Sequence, residues 1–171
     1  MILVTGITGK SGTWFLKRLI EDKENFKETK FRVIVRNNSD TKLIDSSGLQ
    51  IDKAIGDLHD DSFIEKSMEN ISTLLHIAGI QTSLNVVNAA IKNNVKRLIL
   101  VHTTGIYSKY KAASAEYIEI ERQIEDIVLN KNIDSIRPSN SLFRIMNVEV
   151  IFARKKLWQK ERNWLSRCLS M

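Results

Sequence analysis

Short apolar runs alternate with amphipathic stretches along the first 138 residues of the chain. The runs are rich in isoleucine, leucine and valine, which is typical of strands buried on both faces of a parallel sheet. They predict strands at residues 2–4, 31–35, 49–55, 73–77, 97–101 and 133–136. Apolar residues at helical spacing predict helices at 13–21, 83–93 and 112–129, and a further helix is expected to start at Asp61-Ser62. In the first helix the apolar positions are Trp14, Leu16, Leu19 and Ile20.

This alternation of strand and helix predicts an α/β fold, with a doubly wound parallel sheet in a three-layer αβα sandwich. Right-handed crossovers then predict the strand order 3-2-1-4-5-6, with the first strand in the interior of the sheet. The pattern loosens after Pro138, the single proline of the chain. We therefore expect a domain over residues 1–138 and a separate C-terminal segment over 139–171, in which 150–169 predicts one amphipathic helix.

The turn after the first strand carries the sequence Gly6-Ile7-Thr8-Gly9-Lys10-Ser11-Gly12. A glycine-rich turn between a strand and a helix is typical of Rossmann domains, which hold the pyrophosphate of a dinucleotide at the helix N-terminus. In that arrangement Gly6 permits the tight turn, Gly9 lets the backbone approach the phosphates, and Gly12 lets the helix pack closely on the strand. Thr8, Lys10 and Ser11 complete the predicted phosphate site.

A rival interpretation is a nucleoside-triphosphate P-loop, because Gly9-Lys10-Ser11 matches the end of that motif. The P-loop motif requires a further glycine five residues before Gly9, where this chain has Val4. The loop is also too short to wrap a triphosphate. The sequence therefore favours a dinucleotide.

The end of the second strand bears on the type of dinucleotide. An acidic residue there would bind the ribose 2′-hydroxyl of NAD, whereas arginine accommodates the 2′-phosphate of NADP. The strand ends at Arg36, and Asp40 comes too late in the sequence to replace a carboxylate there. Arg36, with Lys10 as a second cation, therefore favours NADP over NAD.

The net charge of +6 is concentrated in the C-terminal segment, where residues 139–171 carry seven basic and two acidic residues. A solvated helix face explains such a segment without nucleic acid, so we do not expect nucleic-acid binding. No apolar run approaches the roughly 18 residues of a membrane span, and we expect no signal peptide. With Cys168 as the single cysteine, the sequence predicts a cytoplasmic protein. The bulky apolar residues of the segment are expected to cap the sheet, to form a homodimer interface, or to belong to a truncated chain.

Five spaced motifs resemble the atypical and extended short-chain dehydrogenases/reductases, near the NmrA-like and NAD(P)-dependent epimerase/dehydratase groups. They cover about residues 1–138 and are the glycine-rich turn, Gly56-Asp57-Leu58, Ile77-Ala78-Gly79, the segment Val101 to Tyr107, and Ile136-Arg137-Pro138. The resemblance implies that Asp57 contacts the adenine and that Leu58 packs on it. It also implies that Ala78 and Gly79 lie against the ribose and nicotinamide, with Thr103 at the cofactor and Thr104 facing a substrate.

The family also implies a catalytic tyrosine followed four residues later by a lysine that lowers its pKa. Tyr117 lies on the expected helix, thirteen residues after Thr104, but its fourth neighbour is Glu121. Tyr107 has Lys111 at the literal spacing, but it lies in the loop after the fifth strand. We take Tyr117 and Thr104 as the catalytic candidates, while a core role for Tyr117 stays open. His59, His76 and His102 lack metal-ligand spacing and are interpreted as structural, so no metal site is predicted.

Two functions follow from these features. The first is an NADP-dependent oxidoreductase or epimerase-like enzyme acting on a small carbonyl or sugar-like substrate. The second is an NAD(P)-binding sensor or regulator of the NmrA-like type that performs no turnover, which the missing lysine and the shortened C-terminal part would suit. Whether the chain is an enzyme is left open by the sequence.

Overall fold

The computed structural model describes the backbone of residues 1–103, 113–130, 144–145 and 148–153, and the side chains of residues 1–102 and 115–127. The strands are β1 (Ile2–Thr5), β2 (Lys30–Val35), β3 (Gln50–Ile55), β4 (Thr73–His76), β5 (Arg97–Thr103), β6 (Arg144–Ile145) and β7 (Val148–Ala153). The helices are α1 (Lys10–Glu21), α2 (Lys42–Asp45), α3 (Asp61–Ser67), α4 (Ser83–Lys92) and α5 (Ala113–Asn130). Two 3₁₀ turns cover Lys23–Phe26 and Ile80–Thr82.

The strands form one sheet in the order β3-β2-β1-β4-β5-β7-β6, and every pair is parallel except β6 with β7. The predicted Rossmann-like α/β fold and the order of its first five strands are confirmed. β1 lies inside the sheet, where Ile2 is in register with Phe31 of β2 on one side and with Thr73 of β4 on the other.

The strand next to β5 differs from the prediction. It is β7, so the helix predicted over 150–169 is wrong for residues 150–153, and the remainder of that helix lies outside the described residues. The predicted sixth strand at 133–136 and the proposed boundary at residue 138 also lie outside them. A short apolar run such as Val148–Ala153 fits a strand or a helix equally well by periodicity, and pairing with β5 satisfies its backbone.

Two apolar cores lie on opposite faces of the sheet and give the three-layer arrangement. One core packs Phe15, Leu16 and Leu19 of α1 against the sheet. The other packs α3, α4 and α5 on the opposite face, where Ile64 and Val86 are completely buried. The described residues contain no helix with the length and apolar character needed to cross a membrane.

The first helix begins at Lys10, three residues before the predicted start, and its buried face differs in part from the predicted apolar positions. Gly12, Phe15, Leu16 and Leu19 recur at helical spacing and are buried. Trp14, one of the predicted apolar positions of this helix, leaves 67% of its surface exposed. The centroid of its ring lies 5.5 Å from the Lys17 ammonium, which makes a cation–π contact.

Candidate functional site

A groove of about 370 Å³ runs along the carboxyl ends of β1 to β4. This is the edge at which open parallel sheets bind ligands, beside the point where the strand order reverses. Its walls come from four loops, each of which follows one of these strands. The lining residues are Gly6, Thr8, Gly9, Ile34, Val35, Arg36, Ser39, Gly56, Asp57, Leu58, His59, Ile77, Ala78, Gly79 and Thr82.

The glycine loop, residues 6–12, closes against the loop that follows β4. Gly6 has a φ of +73°, and a Cβ on it would lie 2.5 Å from the backbone nitrogen of Ala78. Both the left-handed backbone and the close approach therefore require glycine here. The turn is held by the Gly9 N–H, which donates to the Gly6 carbonyl oxygen at 3.0 Å.

The helix that follows the loop presents its N-terminus without a capping side chain. Gly9 is the N-cap residue, no side chain bonds to the cap, and no acidic residue occupies the first turn. The unpaired N–H groups and the positive end of the helix dipole therefore favour an anion. Gly12 lets this helix approach the loop, since a Cβ there would lie 2.1 Å from the Gly6 carbonyl oxygen.

Eight of the sequence-predicted cofactor residues line the groove, namely Gly6, Thr8, Gly9, Arg36, Asp57, Leu58, Ala78 and Gly79. Gly12 is buried beneath the loop, while Lys10 and Ser11 form the start of α1 with exposed and half-buried side chains. Thr103 ends β5, but its side chain lies outside the described residues, as does all of Thr104.

The far end of the groove is polar and carries both signs of charge. Arg36 directly follows β2 and is exposed, and its backbone N–H donates to Ser39 Oγ at 3.1 Å. Asp57, after β3, accepts hydrogen bonds at Oδ1 from the His59 backbone N–H at 2.9 Å and from His59 Nδ1 at 2.8 Å. These bonds, the backbone one first, lower the pKa of Asp57, and the charge of Arg36 adds a smaller effect. Asp57 is therefore ionised beside Arg36.

His59 lines the groove, although the sequence predicts a structural role for it. Its side chain is 73% exposed and stands in the wall of the groove. The available signal was its position two residues after Asp57, in the turn that leaves β3. Sequence periodicity carries no information about a turn residue of this kind.

Tyr117 and Glu121 lie on α5, but each contacts a different partner. The Tyr117 hydroxyl accepts a hydrogen bond from Gln81 Nε2 at 3.2 Å. Glu121 Oε1 lies 2.9 Å from Nδ1 of the buried His102. Glu121 is thus anchored to β5, whereas helical spacing alone indicates only that it neighbours Tyr117. Tyr117 itself is half-buried and is not among the described residues that line the groove.

The other ring nitrogen of His102, Nε2, lies 3.1 Å from Ser83 Oγ. Serine, histidine and carboxylate thereby adopt the connectivity of a nucleophilic triad. Ser83 is nevertheless completely buried at the start of α4, so no substrate reaches its hydroxyl. The three side chains instead hold α4, α5 and β5 together.

A second histidine lies on the same face of the sheet. Nδ1 of His76, in β4, is 2.7 Å from Thr5 Oγ1, in β1. Burial lowers the pKa of His76 to about 3, and the nearby His102 adds to the shift. We call Thr5, His76, Ser83, His102 and Glu121 the histidine cluster. In the part of the chain whose side chains are described, no three His, Cys, Asp or Glu residues are arranged to hold a metal ion.

Comparison with known proteins also indicates dinucleotide binding. The profile of the NAD(P)H-binding family matches residues 6–137. "Sterol demethylase protein B" of Methylococcus capsulatus is 36% identical over 76 residues, which cover 44% of this chain and 21% of that protein.

Two solved structures share the fold. One is an NADPH-dependent quinone oxidoreductase from Escherichia coli complexed with NADPH, with 23% identity, a TM-score of 0.57, and coverage of 74% of this chain and 45% of that one. The other is the triphenylmethane reductase of a Citrobacter species complexed with NADP(H), with 23% identity, a TM-score of 0.58, and coverage of 73% and 45%. The chain thus spans less than half of either structure. Since the family profile covers most of its length, the chain belongs to the NAD(P)H-binding family.

Proposed function

We propose that this chain binds NADP(H) in preference to NAD(H), as the nucleotide-binding part of an oxidoreductase that acts on a small carbonyl compound. The observation that carries the proposal is the groove itself. It joins an uncapped helix N-terminus at one end to Arg36 at the other, and the second strand offers no carboxylate for a ribose 2′-hydroxyl. The two similar solved structures, both described with NADPH or NADP(H), support the choice of cofactor.

The roles proposed for the lining residues follow their positions. Gly6, Thr8 and Gly9 hold the pyrophosphate together with the backbone of Lys10 and Ser11 at the start of α1. Arg36 binds the 2′-phosphate as a charge-assisted pair. Asp57 and Leu58 border the adenine, while Ala78 and Gly79 lie along the ribose and nicotinamide.

The nicotinamide ring would supply the hydride, and the protein would orient it and hold the proton. The proton-holding group proposed here is the Tyr117 hydroxyl, with Thr104 as its partner at the substrate. Because Gln81 donates to the Tyr117 oxygen, the hydrogen of the hydroxyl is left to point elsewhere, as a proton donor requires.

Calorimetric titration with NADPH and NADH tests the binding. We expect NADPH to bind roughly tenfold to hundredfold more tightly, because a charge-assisted hydrogen bond contributes about 1.5–3 kcal/mol. Arg36→Asp should reverse the preference. Lys30→Asp is the matched control, since Lys30 is exposed at the opposite end of the same strand and should leave both affinities unchanged. Equal affinities for NADPH and NADH in the unmodified chain would remove Arg36 from the site.

Nicotinamide absorbance over a panel of small carbonyl compounds tests the reaction. Consumption of NADPH that is lost in Tyr117→Phe supports the oxidoreductase proposal. Tight NADPH binding without turnover of any carbonyl compound would instead favour a sensor or regulator.

A further inference from the structure

The two hydrogen bonds from His59 to Asp57 fall on one carboxylate oxygen. The backbone N–H and the imidazole Nδ1 both lie within 2.9 Å of Oδ1. The second oxygen, Oδ2, makes no hydrogen bond within the described residues. His59 therefore fixes the orientation of the carboxylate and leaves one oxygen available to a donor in the groove.

This arrangement bears on the charge that faces a 2′-phosphate. Asp57 and Arg36 line the same groove, and the charge of Arg36 already acts on Asp57. An ionised Asp57 without a partner would compete with a phosphate for Arg36 and would also repel the phosphate. A carboxylate that already accepts two hydrogen bonds is a weaker competitor.

We propose that His59 is a positioning residue that strengthens the preference for the phosphorylated dinucleotide. By holding Asp57, it keeps Arg36 available to the 2′-phosphate and directs the second Asp57 oxygen toward the amino group of the adenine. The inference rests on the proposed function and adds a determinant of specificity that neither the family motif nor the charge pattern of the chain indicates.

The first test removes the imidazole. His59→Ala should weaken NADPH binding by roughly two- to fivefold, the range expected for a solvent-exposed contact to a carboxylate, and should weaken NADH binding less. His59→Asn keeps an N–H donor near the position of Nδ1 and should retain the native ratio of the two affinities. Lys66→Ala is the control, because it removes a cation from the exposed face of the neighbouring α3. Titration with 2′,5′-ADP and 5′-AMP should show the same difference, since it resides in the adenosine half.

The second test asks whether the effect passes through Asp57. In an Asp57→Asn background the carboxylate charge is gone, so His59→Ala should no longer change the ratio of NADPH to NADH affinity. A persistent change in the ratio, or an equal loss for both dinucleotides in His59→Ala alone, would overturn the positioning role. An unchanged ratio in His59→Ala, with the native preference for NADPH intact, would overturn it while leaving the proposed function standing. Failure of the unmodified chain to bind either dinucleotide would overturn both.

Discussion

The glycine loop and the histidine cluster lie close together at the carboxyl ends of the strands, yet they are built in opposite ways. The loop works through side chains that are absent, since a Cβ on Gly6 or Gly12 would collide with backbone atoms. The cluster works through side chains that are buried and paired, such as His102 between Ser83 and Glu121. One region shapes a groove for an anion, and the other fixes the helices around that groove.

The cluster joins residues that are far apart in the chain, whereas the loop combines local contacts with one distant contact, that of Gly6 with Ala78. Gly12 meets Gly6 and Ile7 within a single turn of the chain. Thr5 and His76 are 71 residues apart, and both His102 contacts span 19 residues. Substitutions in the loop should therefore act on ligand binding, and also on stability where a new Cβ meets backbone atoms, whereas substitutions in the cluster should act on stability alone.

The largest effect is expected from Gly12→Ala. The new Cβ would lie 2.1 Å from the Gly6 carbonyl oxygen and 2.5 Å from the Ile7 Cα, and these backbone atoms cannot rotate away. We expect a loss of about 3 kcal/mol in the free energy of unfolding, at the upper end of overpacking, together with loss of dinucleotide binding. Urea denaturation and calorimetry measure the two effects.

Gly9→Asp is the counterpart that separates folding from binding in the same loop. Gly9 has a φ of −75°, which any residue adopts, and aspartate is a favoured N-cap. Stability should change by about 1 kcal/mol or less, while the carboxylate repels the pyrophosphate and abolishes binding. An unchanged affinity for NADPH would show that the loop is not the phosphate site.

The histidine cluster should make stability depend on pH. Burial and the nearby His102 lower the pKa of His76 from 6.5 to about 3 on folding. A histidine held neutral in the fold stabilises it above pH 6.5, and this contribution is lost as the pH falls below that value. We expect a loss of about 2 kcal/mol in the free energy of unfolding between pH 6.5 and pH 5, measured by urea denaturation across the range.

The control for this pH dependence removes both partners of the buried hydrogen bond. A double variant, Thr5→Val with His76→Leu, replaces the pair with apolar groups of similar size, which is often close to neutral. Its stability should depend less steeply on pH over the same interval. If the double variant and the native chain follow the same pH curve, His76 is not the responsible group.

The last of these effects concerns Glu121, and its size depends on the residue that replaces the glutamate. Glu121→Lys removes the acceptor of His102 Nδ1 and places a cation beside a buried ring, which should cost about 1–3 kcal/mol. Glu121→Gln keeps an oxygen acceptor and should cost less than 1 kcal/mol, in keeping with a neutral hydrogen bond. Equal stability of the lysine and glutamine variants would show that Glu121 does not anchor α5.

Much of the fold was decided by the sequence itself, because it depends on patterns that act over short range. The apolar runs placed β1 to β5, and chain chirality then left few ways to order them. The glycine loop could also be predicted, since its three glycines lie between a predicted strand and a predicted helix. Arg36 was identified because it directly follows the second strand, and Asp57 because Gly56-Asp57-Leu58 resembles a family motif.

Only the tertiary structure decided which side chains meet. Periodicity could not place β7 beside β5, because a short apolar run suits either secondary structure. Helical spacing predicts that Glu121 neighbours Tyr117. In the fold, Glu121 is hydrogen-bonded to His102 instead. Tyr117 is hydrogen-bonded to Gln81, which is 36 residues away in the chain. His59 likewise lines the groove because β3, which precedes it, pairs with β2. Hydrogen-bond partners that distant in the chain are chosen by packing, and local sequence carries no record of that choice.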